Sequence, residues 1–171
     1  MPKSYLIILG VIGLVALIVV GSIVGVTVGG KISQQRALKG KTSQQLFKEG
    51  LTFIAQQEYE EAEMVLSEAA SREPGNLDYL YQLAMVKYNL ADYDQAIGLY
   101  QKIIATKETA FAWNNLGNGY REKKNYDKAK EAYQKAISLD SGFLVAYSNL
   151  ALIYVDEGIK DEAVNILKQG I

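Results

Sequence analysis

No cysteine and no histidine occur in the 171 residues. Without thiols there is no disulfide framework, no thiolate nucleophile and no Cys-based metal site. Without imidazole, the commonest metal ligand and the commonest general base at neutral pH are missing too. No phosphate-binding glycine loop and no metal-spaced cluster replaces them, and the carboxylate pairs Glu60/Glu61 and Asp156/Glu157 fall at solvated helix ends. The chain is therefore read as one without catalytic residues, metal or cofactor, and not as an enzyme.

An excess of basic charge is also lacking, since the formal net charge is −1. The balance hides an asymmetry. Lys31, Arg36, Lys39, Lys41 and Lys48 face only Glu49 in residues 31–50, a net of +4. Of 18 basic side chains, those five and Lys3 lie before residue 51, leaving 12; of 19 acidic ones only Glu49 does, leaving 18. Residues 51–171 thus carry a net of −6. An acidic domain is a poor partner for a phosphate backbone, so no nucleic acid is expected.

From Ser4 to Gly30 there is no charged residue, and Ile, Val, Leu and Gly dominate. About 20 apolar residues cross a bilayer. A cleaved signal peptide would have a shorter apolar region and an Ala-x-Ala-like site, so residues 1–30 are read as a retained transmembrane anchor. Gly21, Gly25 and Gly29 repeat at a spacing that lets a second membrane helix, its own copy or a client's, pack closely. Residues 31–42, KISQQRALKGKT, form a basic linker with Gly40 as a helix breaker. The cations behind the span outnumber Lys3 ahead of it, which places the rest of the chain on the cytoplasmic or stromal side.

The remainder, 43–171, is built on a repeat. Counting Ala110 as position 1, Trp113, Leu116, Gly117 and Tyr120 stand at positions 4, 7, 8 and 11. Their i, i+3, i+4, i+7 spacing puts them on one face of a helix. Tyr126, Ala129, Tyr133 and Ala136 do the same for a second helix, which Asn125 can cap. Small residues at Gly117 and Ala129 suit a close approach. Residues 43–76 repeat the offsets with Leu46, Gly50, Phe53, Ala62, Leu66 and Ala69. Residues 77–109 do so with Leu80, Leu83, Ala84, Ala96, Tyr100 and Ile103, one residue short and with Lys87 at position 11. Residues 144–171 give Tyr147, Leu150, Ala151, Tyr154, Ala163 and Leu167. The expected fold is all-α: a transmembrane helix followed by four helix-turn-helix repeats, the last without a capping helix.

This pattern of roughly 34 residues resembles the tetratricopeptide repeat (TPR) family over about three quarters of the chain. The resemblance implies a right-handed superhelix whose first helices line a concave groove that binds proteins. Carried over position by position, it implies a partner-binding groove containing Phe47, Leu51, Tyr81, Met85, Tyr88, Asn114, Asn115, Asn118, Arg121 and Asn149. Aromatic and Met surfaces suit an apolar anchor, and side-chain amides suit the main chain of an extended peptide. The Lys and Arg with which some TPR domains clamp a chaperone's C-terminal carboxylate are absent here.

The layout of anchor, basic linker and repeats in about 170 residues is similar to the membrane-anchored TPR proteins that assist photosystem I assembly in cyanobacteria and plastids. That likeness implies a membrane-anchored adaptor or assembly factor at a thylakoid membrane, with membrane-complex subunits as partners and lipid contact through the N-terminal helix. Envelope chaperones and organelle import receptors share the layout, and a structural homo-oligomer is the alternative. The topology is directly testable. Protease added to the cytoplasmic or stromal face of sealed membranes should digest residues 43–171, and a sheltered repeat domain would show the opposite orientation.

Overall fold

In the computed structural model of the chain, residues 38–170 are described. The apolar run at 4–30, with Gly21, Gly25 and Gly29, and the first part of the basic linker lie outside them. Among the described residues, no helix is long and apolar enough to cross a membrane. The chain divides between Lys41 and Thr42, and the unit that starts at Thr42 is built of helices and turns.

Its helices are α1 (Ser43–Ala55), α2 (Tyr59–Arg72), α3 (Leu77–Asn89), α4 (Tyr93–Thr106), α5 (Ala110–Glu122), α6 (Tyr126–Leu139), α7 (Leu144–Asp156) and α8 (Lys160–Gln169). They pack as hairpins, α1 on α2, α3 on α4, α5 on α6 and α7 on α8. Each second helix then packs on the first helix of the next pair. Among first helices, α1 also touches α3 and α5 touches α7, so the first helices share a wall. This is the TPR arrangement of helix-turn-helix units, each of which buries its apolar stripe on its neighbours.

Local chemistry sets the helix ends. Thr42 forms a capping box with Gln45, and Asn76, Asp92, Thr109 and Asn125 each accept a backbone N–H in the first turn. The turn inside every hairpin has one geometry. Gln57, Ala91, Lys124 and Gly158, each at position 15 of its repeat, have φ between 58° and 81°. The next residue donates its N–H back to position 11: Glu58 to Phe53, Asp92 to Lys87, Asn125 to Tyr120 and Ile159 to Tyr154, at 2.8–2.9 Å. The position-15 N–H reaches position 12 at 2.8–3.0 Å. Both bonds together make a Schellman closure, and three of the four copies hold it without glycine at the left-handed residue.

Between the two helices of a hairpin, a small residue at position 8 meets a large one at position 24. A Cβ on Gly117 would lie 2.5 Å from Tyr133 Cε1, and one on Gly50 would lie 2.6 Å from Leu66 Cγ. Leu66, Tyr100 and Tyr133 are all buried there. Lys87, where the pattern prefers an aromatic, is buried too. Its ammonium donates to Glu63 of α2 at 2.6 Å and to Asp92 at 3.5 Å, so the buried charge is paired across two repeats.

Two substitutions should move stability in opposite directions. Gly117→Ala forces the Tyr133 ring out of place and should cost about 1–3 kcal/mol, several degrees in melting temperature. Ala91→Gly relieves a left-handed conformation costing about 1–2 kcal/mol against about 0.5–1 kcal/mol of added chain entropy, and should raise the melting temperature slightly. Thermal unfolding followed by circular dichroism checks both.

Candidate functional site

The wall made by α1, α3, α5 and α7 carries the side chains that the repeat offsets single out, and α3, α5 and α7 bring most of them together. Tyr81 of α3 is stacked on Phe111 of α5 with ring centroids 5.3 Å apart, and it meets Tyr100 of α4 edge-on at 5.7 Å. Phe111 in turn meets Phe143 at 6.4 Å. Phe47 of α1 lies on Tyr79 at 4.8 Å. Aromatic pairs of this kind add about 0.5–1.5 kcal/mol beyond burial. The chain of rings thus ties repeats together at the wall, while Phe111 itself remains 53% exposed.

The asparagines form one connected network. Asn115 donates to the Tyr81 hydroxyl at 3.3 Å. Its own oxygen accepts from Asn114 and Asn118, each at 3.4 Å. Asn149 of α7 donates to Asn114 at 2.9 Å and to Asn118 at 3.2 Å. The Tyr133 hydroxyl, from α6, donates to Asn118 at 2.8 Å. Asn114 is buried; Asn115, Asn118 and Asn149 are half-buried. The amides therefore spend much of their capacity on each other and on two tyrosines, joining the second, third and fourth repeats. Each amide can donate twice and accept twice, which leaves part of Asn115 and Asn149 for a ligand.

Toward the C-terminal ends of α3 and α5 the wall becomes charged. The Tyr88 hydroxyl donates to Glu122 at 3.3 Å, and Arg121 pairs with the same carboxylate at 3.2 Å. Glu122 was not singled out by the repeat offsets. Only the Tyr at position 12 of the second repeat, one residue past the expected aromatic position, hints at it. Met85 and Tyr88 are half-buried, and Leu51, Val145, Leu152 and Val155 are exposed. Gly21, Gly25 and Gly29 lie outside the described residues.

Burial raises the hydroxyls of Tyr81, Tyr100 and Tyr133 well above the ordinary tyrosine value of 10.0. All three stay neutral at physiological pH and act as hydrogen-bonding groups, not as bases. A cleft of about 330 Å³ opens elsewhere, between α4, α5 and α6, over Ile104, Ala105, Trp113 and Leu116. Its rim closes on itself: Gln101 donates to the Tyr120 hydroxyl at 3.0 Å, and the Lys128 ammonium sits 5.4 Å from that ring's centroid. Among the described residues, no group of three or more Asp or Glu could hold a metal ion.

Comparison with known proteins agrees with this architecture. Family models described as tetratricopeptide repeat match residues 53–116 and 110–143, together 53–143, more than half of the chain. The TPR repeat-containing protein YpiA of Bacillus subtilis is 32% identical over 114 residues, covering 64% of this chain and 26% of YpiA. The uncharacterized protein ycf37 of Cyanophora paradoxa is 30% identical over 106 residues, covering 59% of this chain and 58% of ycf37. The chain thus spans about a quarter and somewhat over half of these two relatives. A crystal structure of MamA superposes with a TM-score of 0.72 at 29% identity, covering 80% of this chain and 82% of that one.

The network makes a stability prediction. Asn118→Ala leaves the buried Tyr133 hydroxyl without its partner and should cost about 1–3 kcal/mol. Adding Tyr133→Phe removes that orphan, so the double variant should lose less than the sum of the singles. The raised tyrosine values also have a sign. The folded state holds these protons more tightly than the unfolded one, so their contribution is complete below pH 10 and is lost as pH rises past it. Calorimetry should show Tyr133→Phe flattening the alkaline decline in melting temperature.

Proposed function

The chain belongs to the tetratricopeptide repeat family, and from that premise we propose that it is a membrane-anchored protein–protein adaptor or assembly factor that performs no reaction. The observation that carries this reading is the wall of first helices. It combines exposed apolar side chains, Leu51, Phe111 and Val145, with half-buried amides and a rigid aromatic backing. That is the composition of a surface that takes polypeptide: apolar anchors fill a pocket and a few polar groups orient them.

The anchor is the second part of the proposal. The uncharged run from Ser4 to Gly30 and the basic residues behind it support a single span with the repeats on the cytoplasmic or stromal side, and Gly21, Gly25 and Gly29 as its packing face. Such a tether would confine the wall to the membrane surface, where subunits of a membrane complex are the available clients. Photosystem I assembly at a thylakoid membrane is the finer reading, supported by the similarity of layout. The match to ycf37 covers a little over half of that protein.

Wall variants test the proposal. Clients co-purified from gently solubilised membranes should fall about tenfold with Phe111→Asp or Val145→Asp, as expected for loss of an interface anchor. Val145 is exposed, so Val145→Asp should leave the melting temperature close to that of the parent chain, while Phe111→Asp also loses the ring contacts with Tyr81 and Phe143 and should lower it by a few degrees. Client recovery that is unchanged by either variant would contradict groove binding.

A further inference from the structure

We infer that the cleft between α4, α5 and α6 is a binding site for a small amphipathic monocarboxylate of the medium-chain aliphatic class, with its tail on the Trp113 floor and its head at the Tyr120 end. The inference is independent of what the wall of first helices binds.

The cleft lies in the middle of the stack, within residues 101–132, and holds about 330 Å³. That is the lower end of the range for small-molecule sites, which are mostly apolar with a few placed polar groups. Its two ends differ. Ile104 and Ala105, late in α4, line it together with Trp113, early in α5, and Leu116 and Ala132 continue that floor. The indole N–H is buried and has no acceptor among the described residues, so the floor beside it presents apolar surface. Gln101, Tyr120 and Lys128 stand at the other end. Trp113 and Tyr120 are seven residues apart on one helix, about 10 Å at 1.5 Å per residue, a length that extended octanoate spans.

The Tyr120 end offers donors that no group accepts. The hydroxyl takes a hydrogen bond from Gln101 at 3.0 Å, and its own hydrogen has no acceptor among the described residues. The Lys128 ammonium sits 5.4 Å from the ring centroid, and no carboxylate among the described residues forms an ion pair with it. A cation and a phenol O–H therefore face the mouth of an apolar cleft.

The neighbouring repeat shows that this is a property of the third repeat and not of the fold. In the second repeat the register of Lys128 is held by Gln95, whose amide donates to the acidic cap Asp92 at 2.6 Å. The register of Tyr120 is held by Lys87, which is spent on Glu63 and Asp92. In the third repeat the cap is Asn125, which accepts the Lys128 backbone N–H at 3.3 Å but carries no charge for its ammonium. Lys130, another ammonium set over a tyrosine ring, 5.7 Å from the Tyr154 centroid, is held by Glu157 at 2.9 Å. Lys128 has no such partner. A carboxylate head would take both donors in charge-assisted hydrogen bonds. Glu131, three residues on along α6, also lines the cleft. Its like charge opposes a doubly charged head, which selects a monocarboxylate over a phosphate.

Trp113 is the only tryptophan of the chain, so its fluorescence reads occupancy of the cleft. Titration of the full chain with octanoate should give a saturable change. Hexanoate should bind about tenfold more weakly, since each buried methylene contributes about fourfold. Lys128→Gln should weaken octanoate about threefold and Glu131→Gln should strengthen it by about as much; both positions are exposed, so the folded chain is kept. Ala105→Leu, which fills the apolar end from another exposed position, should abolish the saturable response. If Ala105→Leu does not fold, the opposite shifts of the two charge variants decide the matter. No saturable change, hexanoate binding as tightly as octanoate, or a response that ignores the Lys128 and Glu131 variants would overturn the inference. So would a response that survives in folded Ala105→Leu, because octanoate would then sit elsewhere.

Discussion

The contact between Gly117 and Tyr133 sets more of this structure than its size suggests. With no Cβ at 117, the tyrosine ring lies against the backbone of α5, at a distance a methyl group would close to 2.5 Å. That approach lets the phenol of a second helix reach the shared wall, where it donates to Asn118. Asn118 also accepts from Asn149, one repeat further on. A missing side chain in one helix therefore decides where a hydroxyl of its neighbour ends, and through it the register of the next repeat. Packing and polar satisfaction reinforce each other here, which is what a one-dimensional stack requires.

The wall that results differs in character from a row of free amides. Four asparagines and two tyrosines largely satisfy one another, so their main effect is to hold α3, α5 and α7 at fixed spacing. The groups left facing outward are mostly apolar, with Phe111, Val145, Leu152 and Val155 among them. A surface of that kind gains affinity by burying partner side chains, and the residual amide capacity adds direction. Preorganisation lowers the entropy lost on binding, because the rings behind the wall are already packed.

How much of this was legible in the residues depends on the scale of the feature. The hairpins were readable because positions 4, 8, 11, 20, 24 and 27 recur, and a stripe repeated four times is hard to produce without packing. The caps at Asp92 and Asn125 were readable because their side chains have one obvious use. The left-handed turn residue was not. Gln57, Ala91 and Lys124 carry no local mark of a positive φ; tertiary closure of the hairpin imposes it on whatever residue is there. The burial of Lys87 was also hidden, since its partners Glu63 and Asp92 stand 24 and 5 residues away. For the wall, the residue types were visible, but their mutual hydrogen bonds were not, because those depend on separations across repeats. Residues 1–30 are understood from composition alone.

The central claim is that the wall of first helices holds another polypeptide. Site-specific photo-crosslinking in intact membranes tests it most directly, with the probe placed at Phe111 on the wall or at exposed Gln134 on α6. The account predicts a discrete higher-mass adduct from Phe111 and none of that mass from Gln134. Adducts from Gln134 alone, or none from Phe111 under conditions where the chain is folded, would contradict it.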